Sequence, residues 1–227
     1  MTTLQLTSPG EIEWIKQFDP QERVMTDSMY LLSKRAMDLL LVMLALPLWL
    51  PLLCLIAVLI WVSAPGAPVL FRHLRTGKGG KRFYMYKFRT MVPNAEELKA
   101  KYAHLNELKL PDFKITNDPR ITFVGRFLRK TSMDELPQLL NVLRREMSLV
   151  GPRPTSFGPE TYKLWHTERL DVIPGITGLW QIEGRGRLEF DQRLRLDIAY
   201  IERASLWLDI VILFRTIIAV FTQRGAH

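Results

Sequence analysis

The longest apolar stretch of the chain runs from Leu39 to Val62, LLLVMLALPLWLPLLCLIAVLIWV, with no charged residue inside it. It reaches the roughly 20 residues that cross a bilayer, and a helix this apolar all round is unusual in a soluble core. Pro47 and Pro51 fall within it, one turn apart. Each lacks an N–H and clashes with the preceding turn, so the pattern predicts a sharp bend near the middle. Lys34 and Arg35 stand before the run, and Arg72, Arg75, Lys78, Lys81 and Arg82 follow it. Positive charge on both flanks suits a hairpin that enters and leaves by the cytoplasmic face. A kinked single span with its N-terminus outside is the competing topology. In both, the more basic downstream side places the rest of the chain in the cytoplasm. The run, and the segment ahead of it, are too long for a cleaved secretory signal.

The remaining patterns are shorter. Residues 1–33 are polar and mixed in charge, and read as a peripheral arm in which residues 11–18, with Trp14, Ile15 and Phe18, form a short amphipathic helix. Residues 69–74 and 83–88 alternate as two short strands, joined by a Gly-rich basic link into a hairpin beneath the membrane. Lys87 and Arg89, two residues apart, are expected on one strand face, there to grip phosphates or lipid headgroups. Residues 94–106 read as an exposed helix, and Asn117-Asp118-Pro119-Arg120 as a turn. From Ser205 onward, at about 100° per residue, Ser205, Asp209, Thr216 and Gln223 share one arc opposite Trp207, Ile210, Phe214, Ile217 and Phe221. That amphipathicity predicts a helix in the membrane interface, with a core helix as the alternative. The sum is an α+β, mainly helical protein: a polar arm (1–33), a membrane helix (34–66) and a cytoplasmic region (67–227) closed by an interfacial helix.

Charge narrows the partners. Lys and Arg number 31 against 23 Asp and Glu, a net charge of +8 and a pI near 9.7. An excess of this size points to nucleic acid, an acidic leaflet or a phosphorylated substrate. The single cysteine, Cys54, forms no internal disulfide, which fits a reducing compartment. His73, His104, His166 and His227 show no metal-ligand spacing, and neither a P-loop nor a dinucleotide-binding glycine turn is present.

The chemistry concentrates in Thr131-Ser-Met-Asp-Glu-Leu-Pro-Gln-Leu-Leu-Asn-Val-Leu. Ser132 and Glu135 have capping-box spacing ahead of an apolar run, with Pro137 in the first turn, so Asp134 and Glu135 are expected at a helix N-terminus. Arg120, Arg126, Arg129 and Lys130 precede the pair, and Arg144, Arg145 and Arg153 follow it. Two acids in a basic setting suggest a carboxylate nucleophile or metal ligand acting on a phosphorylated substrate; a helix cap alone is the bland alternative. Arg153 is held between prolines, a pattern suited to phosphate recognition. Pro174-Gly-Ile-Thr-Gly and Gly184-Arg-Gly-Arg are glycine-rich turns whose N–H groups suit an anion.

Taken in order, Lys34-Arg35-x-x-Asp38, the apolar run with Pro51, Lys87-Phe-Arg-Thr-Met, Asp118-Pro-Arg-Ile-Thr, Ser132-Met-Asp-Glu-Leu-Pro-Gln, Met147-Ser-Leu-Val-Gly-Pro-Arg-Pro and Pro174-Gly-Ile-Thr-Gly form a specific series. The chain resembles the bacterial sugar transferase family, the monotopic phosphoglycosyl transferases that start glycan assembly on a polyprenyl phosphate carrier, in its small, catalytic-domain-only form. The resemblance implies a re-entrant helix broken at Pro51, with Pro47 as an extra break. It implies a location at the cytoplasmic face of a bacterial inner membrane. It also implies a two-step reaction in which Asp134 attacks the sugar-bearing phosphate of a UDP-sugar, UMP leaves, and polyprenyl phosphate takes the sugar phosphate from the aspartate. Glu135 is implied to hold Mg²⁺. Lys87, Arg89, Arg153 and Arg185 would line the site, and Asp197 matches a recurring polar position. Arg145 departs from a common Gly, Ile173 from a basic residue, and Glu183 from a small polar one; the last two bear on donor or lipid recognition.

Two other classes stand beside the enzyme. A non-catalytic membrane scaffold would use Asp134 and Glu135 only as caps. A membrane-tethered nucleic-acid binder is suggested by charge alone, but the basic residues are scattered among turns with no reader motif.

Overall fold

The computed structural model describes residues 13–18, 27–107, 115–158, 160, 164–183 and 188–222. Arg185 and its Gly184-Arg-Gly-Arg turn lie outside them, as does most of the N-terminal arm.

Asp27 starts the first long helix by accepting a hydrogen bond from the Met29 N–H at 2.9 Å. This helix, α1 (Ser28–Leu44), buries Tyr30, Lys34, Asp38 and Val42, a stripe of four-residue spacing whose middle is charged. It stops at Ala45, and α2 (Leu46–Ser63) begins at once, with Pro47 in its first turn. The bend is therefore set at Ala45 and Pro47, while Pro51, expected as the break, sits inside a continuous helix. Pro47 has no N–H to give the Met43 carbonyl, and beside it the Val42 carbonyl accepts the Trp49 indole N–H at 2.9 Å. Among the described residues α2 is the one helix long and apolar enough to cross a membrane. It buries only Trp49, Ile56 and Ile60.

Strands β1 (Leu70–Thr76) and β2 (Arg82–Phe88) pair antiparallel, with Leu70 opposite Phe88 and Thr76 opposite Arg82. Their link turns tightly through Gly79 and Gly80, both at positive φ, and the Gly77 N–H reaches the Lys81 carbonyl at 2.8 Å. Within the expected exposed helix only α3 (Glu97–Lys101) and one 3₁₀ turn form. Helix α4 (Phe123–Lys130) is capped by Thr122, whose hydroxyl accepts the Gly125 N–H at 2.9 Å. A 3₁₀ stretch, Met133–Gln138, runs into the short α5 (Leu139–Leu143). Strand β3 (Ser148–Val150) pairs parallel with β4 (Gly175–Thr177), a sheet the alternation did not announce because each strand is only three residues long. Helices α6 (Leu179–Glu183), α7 (Phe190–Glu202) and α8 (Leu206–Phe221) complete the chain.

One core cluster joins Tyr30 of α1 to Val150, Leu179, Leu196, Tyr200 and Leu208. Ile15, almost fully buried, belongs to it, with Trp14 and Phe18 packed alongside. The peripheral-arm expectation is thus corrected for this segment: it is a 3₁₀ turn (Glu13–Gln17) docked on the core. Two smaller clusters set Val42 and Trp49 against Met85 and Met147, and Ile56 and Ile60 against Phe88 and Leu128. Through them the apolar helix is packed directly on the strand and the 3₁₀ stretch that carry the candidate site.

Helix α8 carries its polar arc inward. Asp209 is fully buried, whereas Trp207 and Phe214 are 64% and 63% exposed. Leu208 and Ile212 make it a core helix on one face, and the opposite apolar face is bare.

Candidate active site

Asp134 and Glu135 stand in the 3₁₀ stretch, directly after Ser132, which adopts a left-handed conformation (φ 57°). The Ser132 side chain makes no capping hydrogen bond there, so the expected capping box does not form. The pair instead sits on a sharp turn between α4 and α5, with Pro137 fixing the stretch behind it.

Cations converge on this turn from two elements. Lys87, near the end of β2, places Nζ 2.7 Å from Glu135 Oε1 and 3.5 Å from Asp134 Oδ2. Arg153, on the loop after β3, donates from Nη1 to Glu135 Oε2 at 3.1 Å and from Nη2 to Glu135 Oε1, a two-pronged grip. Its Nη1 also donates to the Ile176 carbonyl at 3.1 Å. The two carboxylates therefore differ. Burial disfavours the charge on Glu135, but Arg153 and Lys87 outweigh it and hold its carboxyl well below the usual range. Burial pushes the Asp134 carboxyl up, and the charge of Glu135 pushes it further, against the pull of Lys87. One carboxylate is clamped and permanently ionised. Its neighbour, 3.5 Å from Lys87, is the less compensated of the two.

Arg89 does not join them. It follows the end of β2, and its Nε donates to the Pro68 carbonyl at 2.6 Å, so the shared-face expectation fails where the strand ends. Arg120 is also spoken for, held by Asp118 through Nε at 2.9 Å and Nη2 at 2.6 Å. Arg144 stacks on Tyr86, its Cζ 5.1 Å from the ring centre. The glycine turn at Pro174 is bonded to the segment after β3: Gly175 N donates to Pro152 O, and the Thr177 carbonyl accepts from Gly151 N, both at 2.9 Å. It braces the Arg153 loop, and the Gly175 N–H is not offered to an anion. Gly151 packs so closely here that a Cβ on Gly175 would lie 2.1 Å from Gly151 N.

Asp197, on α7, is buried beside Arg169, with Oδ2 2.9 Å from Nη2. Burial raises its carboxyl to about 7 against the pull of Arg169 and Arg193. Arg169 also donates to the Arg153 carbonyl, which gives Asp197 a place behind the arginine that grips Glu135.

The residues that hold this arrangement in place include the Lys34-Arg35-x-x-Asp38 motif, whose partners lie too far along the chain for spacing to pair them. Asn141 of α5 donates to the Tyr84 carbonyl at 2.8 Å and accepts from Tyr86 N at 3.1 Å, tying α5 to β2 next to Lys87. Arg35 donates to the Val142 and Leu143 carbonyls at 2.6 and 3.1 Å, satisfying the end of α5. Asp38 accepts from Ser148 Oγ at 2.7 Å, and Lys34 meets Asp209 at 2.5 Å. Lys34, Arg35 and Asp38 thus tie α1 to α8, to the end of α5 and to β3. Glu183 accepts the Trp14 indole N–H at 2.5 Å and lies 4.0 Å from Arg215, so its unusual identity serves the N-terminal segment.

Among the described residues no three Asp, Glu, His or Cys side chains converge as a metal cage. Mg²⁺ is commonly held by one or two carboxylates together with substrate phosphates, and the adjacent Asp134 and Glu135 meet that lesser requirement.

Asp134 and the clamped Glu135 lie beneath an apolar helix, beside the ammonium of Lys87 and the guanidinium of Arg153. The chain belongs to the bacterial sugar transferase family, whose model matches residues 29–223. The undecaprenyl-phosphate galactose phosphotransferase of Salmonella typhimurium is 46% identical over 171 residues, which cover 73% of this chain and 36% of that protein. The UDP-glucose:undecaprenyl-phosphate glucose-1-phosphate transferase of Escherichia coli is 41% identical over 209 residues, 86% of this chain and 42% of that protein. The exopolysaccharide production protein ExoY of Rhizobium meliloti is 42% identical over 201 residues, 86% of this chain and 88% of the relative. The chain therefore spans less than half of the first two relatives and most of the third.

Proposed function

We propose that this chain is a phosphoglycosyl transferase that moves a sugar-1-phosphate from a UDP-sugar to a polyprenyl phosphate such as undecaprenyl phosphate, at the start of a bacterial polysaccharide or other glycan. The observation that carries the reading is the geometry of the pair: Lys87 Nζ lies 2.7 Å from Glu135 and 3.5 Å from Asp134, and Arg153 forks onto Glu135. Two relatives bear names that join a sugar phosphate to undecaprenyl phosphate.

In the first step a carboxylate oxygen of Asp134 attacks the phosphorus that carries the sugar. The bond to the UMP oxygen breaks, UMP leaves with the electron pair, and an aspartyl phosphosugar remains. In the second step a phosphate oxygen of the polyprenyl carrier attacks the same phosphorus, and the bond to Asp134 breaks to restore the free carboxylate. In both steps an anion attacks and an anion leaves, so no proton is moved and no general base is required. Lys87 and Arg153 orient the donor phosphates and spread their charge, while Glu135 keeps both cations in place. Asp134 and Glu135 are the residues that would hold Mg²⁺. When bound, the ion would neutralise charge on the transferring phosphoryl group.

A membrane seat follows from the bare apolar faces. Leu48, Leu55, Val58 and Trp61 of α2 and Trp207, Phe214 and Ile217 of α8 are all exposed. The helix break at Ala45 supports a re-entrant helix that dips into one leaflet, with the site on the cytoplasmic face of the inner membrane.

Purified protein with Mg²⁺, polyprenyl phosphate and a panel of UDP-sugars should release UMP, and the true donor alone should add one sugar phosphate to the peptide containing Asp134. Asp134→Asn should remove that adduct. An adduct that survives it, or no UMP from any donor, overturns the reading. With Cys54 replaced, single cysteines at the exposed positions Met29 and Lys78 should label from the same side of the membrane; opposite sides would mean a span.

A further inference from the structure

Strand β1 covers one edge of β2, and the other edge meets the side chain of Asn141. This carboxamide, fully buried, does what a peptide group of a neighbouring strand would do. Its Oδ1 accepts from Tyr86 N at 3.1 Å and its Nδ2 donates to Tyr84 O at 2.8 Å, so one side chain bridges the outward backbone groups on either side of Met85. The clip needs a donor and an acceptor on one planar group, which aspartate and leucine cannot supply. The remaining Nδ2 hydrogen goes to Glu146 Oε2 at 2.6 Å. A carboxylate only accepts, so Glu146 decides which end of the amide faces which strand group.

The main chain of Asn141 reaches the other way. Its carbonyl accepts from Glu146 N at 3.0 Å and Met147 N at 3.2 Å, closing the turn that leads into β3. Lys87 directly follows Tyr86 on β2, Arg153 lies on the loop after β3, and the 3₁₀ stretch with Asp134 and Glu135 runs straight into α5. Asn141 is thus tied to each segment that brings a cation or a carboxylate to the site. We infer that Asn141 is a positioning residue for transfer: it sets the spacing between Lys87 and the carboxylate turn, and Glu146 holds its amide in the orientation that does so. Lys87 Nζ stands 2.7 Å from Glu135 and 3.5 Å from Asp134, so a small slide of β2 redistributes its charge between the two. Misplacing an orienting group by about 1 Å can cost on the order of a hundredfold in rate. The inference rests on the transfer reading above and adds to it a residue that acts through Lys87.

The test uses the full chain in lipid nanodiscs. Asn141→Asp keeps the shape and Oδ1 but loses both N–H donors, while Glu146→Ala keeps the clip and frees its orientation. At a saturating level of the UDP-sugar that labels the wild type, adduct formation is timed per folded molecule, below the melting temperature. Asn141→Asp should slow this step about tenfold or more, and Glu146→Ala by a smaller factor. Adding Asn141→Asp to Lys87→Gln should slow it less than about twofold further, because the clip then has no ammonium to place. A residue that served folding alone would lower the melting temperature, leave the rate per folded molecule, and multiply with Lys87→Gln. An unchanged rate in Asn141→Asp, or a fully multiplicative double variant, overturns the inference. Should Asn141→Asp fail to fold, Glu146→Ala carries the same comparisons. A second measurement needs no turnover: reductive methylation of the Lys87 amine, slow in the wild type because Glu135 holds it, should quicken in Asn141→Asp. If no UDP-sugar yields an adduct on the wild type but Lys87 methylation quickens, the transfer reading falls and the clip stands. If transfer proceeds while the rate and the methylation are both unaltered, the clip falls and transfer stands.

Discussion

Neutralising either of two adjacent carboxylates should abolish transfer, yet the two substitutions should move stability in opposite directions. Glu135 accepts from Lys87 at 2.7 Å and from both nitrogens of the Arg153 fork, and its side chain is 14% exposed. Glu135→Gln would leave two cations facing a neutral amide. Breaking a fully buried pair costs about 3–5 kcal/mol, and partial solvent access brings the expected loss to about 2–4 kcal/mol. Asp134 is the reverse case. Burial and the Glu135 charge outweigh the help from Lys87 and raise its pKa. Each unit of that rise is ~1.4 kcal/mol by which the folded state resists the charge at neutral pH. Asp134→Asn should therefore stabilise. At roughly 2–4 °C per kcal/mol for a chain of this size, Glu135→Gln should melt about 5–15 °C lower and Asp134→Asn a few degrees higher. The signs also fix the pH dependence. The Asp134 penalty grows as pH rises from its unfolded pKa to its raised folded one, so the gain from Asp134→Asn should fade in acid. The Glu135 contribution is present above its unfolded pKa and is lost only as pH falls through its depressed folded one. Melting of both variants in nanodiscs at neutral and acidic pH checks this. Shifts of the same sign at neutral pH would refute the unequal pair.

Three further outcomes follow from the same contacts. The acidic limb of kcat should lie above the ordinary Asp range of about 3.9, and Lys87→Gln should move it to still higher pH by removing a cation that favours the charged form; a limb that stays put or falls contradicts the role of Lys87. Lys34→Met should cost about 3–5 kcal/mol by stranding the fully buried Asp209, and adding Asp209→Asn should recover much of it while keeping an acceptor for Tyr200, whose OH lies 2.6 Å away; denaturant melts that show no recovery would refute the ion-pair account. Arg145 is held at φ 63°, so Arg145→Gly should stabilise by about 1 kcal/mol, and a destabilised variant would mean that its side chain carries more than the backbone strain.

The departure at Arg145 shows what sequence and structure each contribute. A residue other than Gly was visible at that position, but only the backbone shows that it needs a left-handed conformation. The hairpin of β1 and β2 was legible to within two residues at each strand end, because alternating side chains and a glycine link are local signals. The parallel pair β3–β4 was not, since its two members lie apart in the chain and neither is long enough to show a period. Among the basic residues, the sequence supplied a crowd and no way to sort it. Arg120 turned to Asp118 within its own turn, whereas Arg89 turned to the Pro68 carbonyl and Lys87 and Arg153 met Glu135, choices made by distances between segments.

By itself the sequence determined the apolar run, the adjacent Asp134 and Glu135, the ordered motifs around them and the surplus of positive charge. These are properties of neighbours in the chain, written in residue type and period. Only the tertiary structure decided which carboxylate is clamped and which is under-neutralised, because a pKa depends on burial and on charges brought from β2 and the β3 loop. It likewise decided that the helix is interrupted at Ala45, where Val42 and Trp49 pack with Met85 and Met147, and that α8 turns Asp209 inward to meet Lys34. Those outcomes require partners from distant segments in the same place, and no local pattern specifies them.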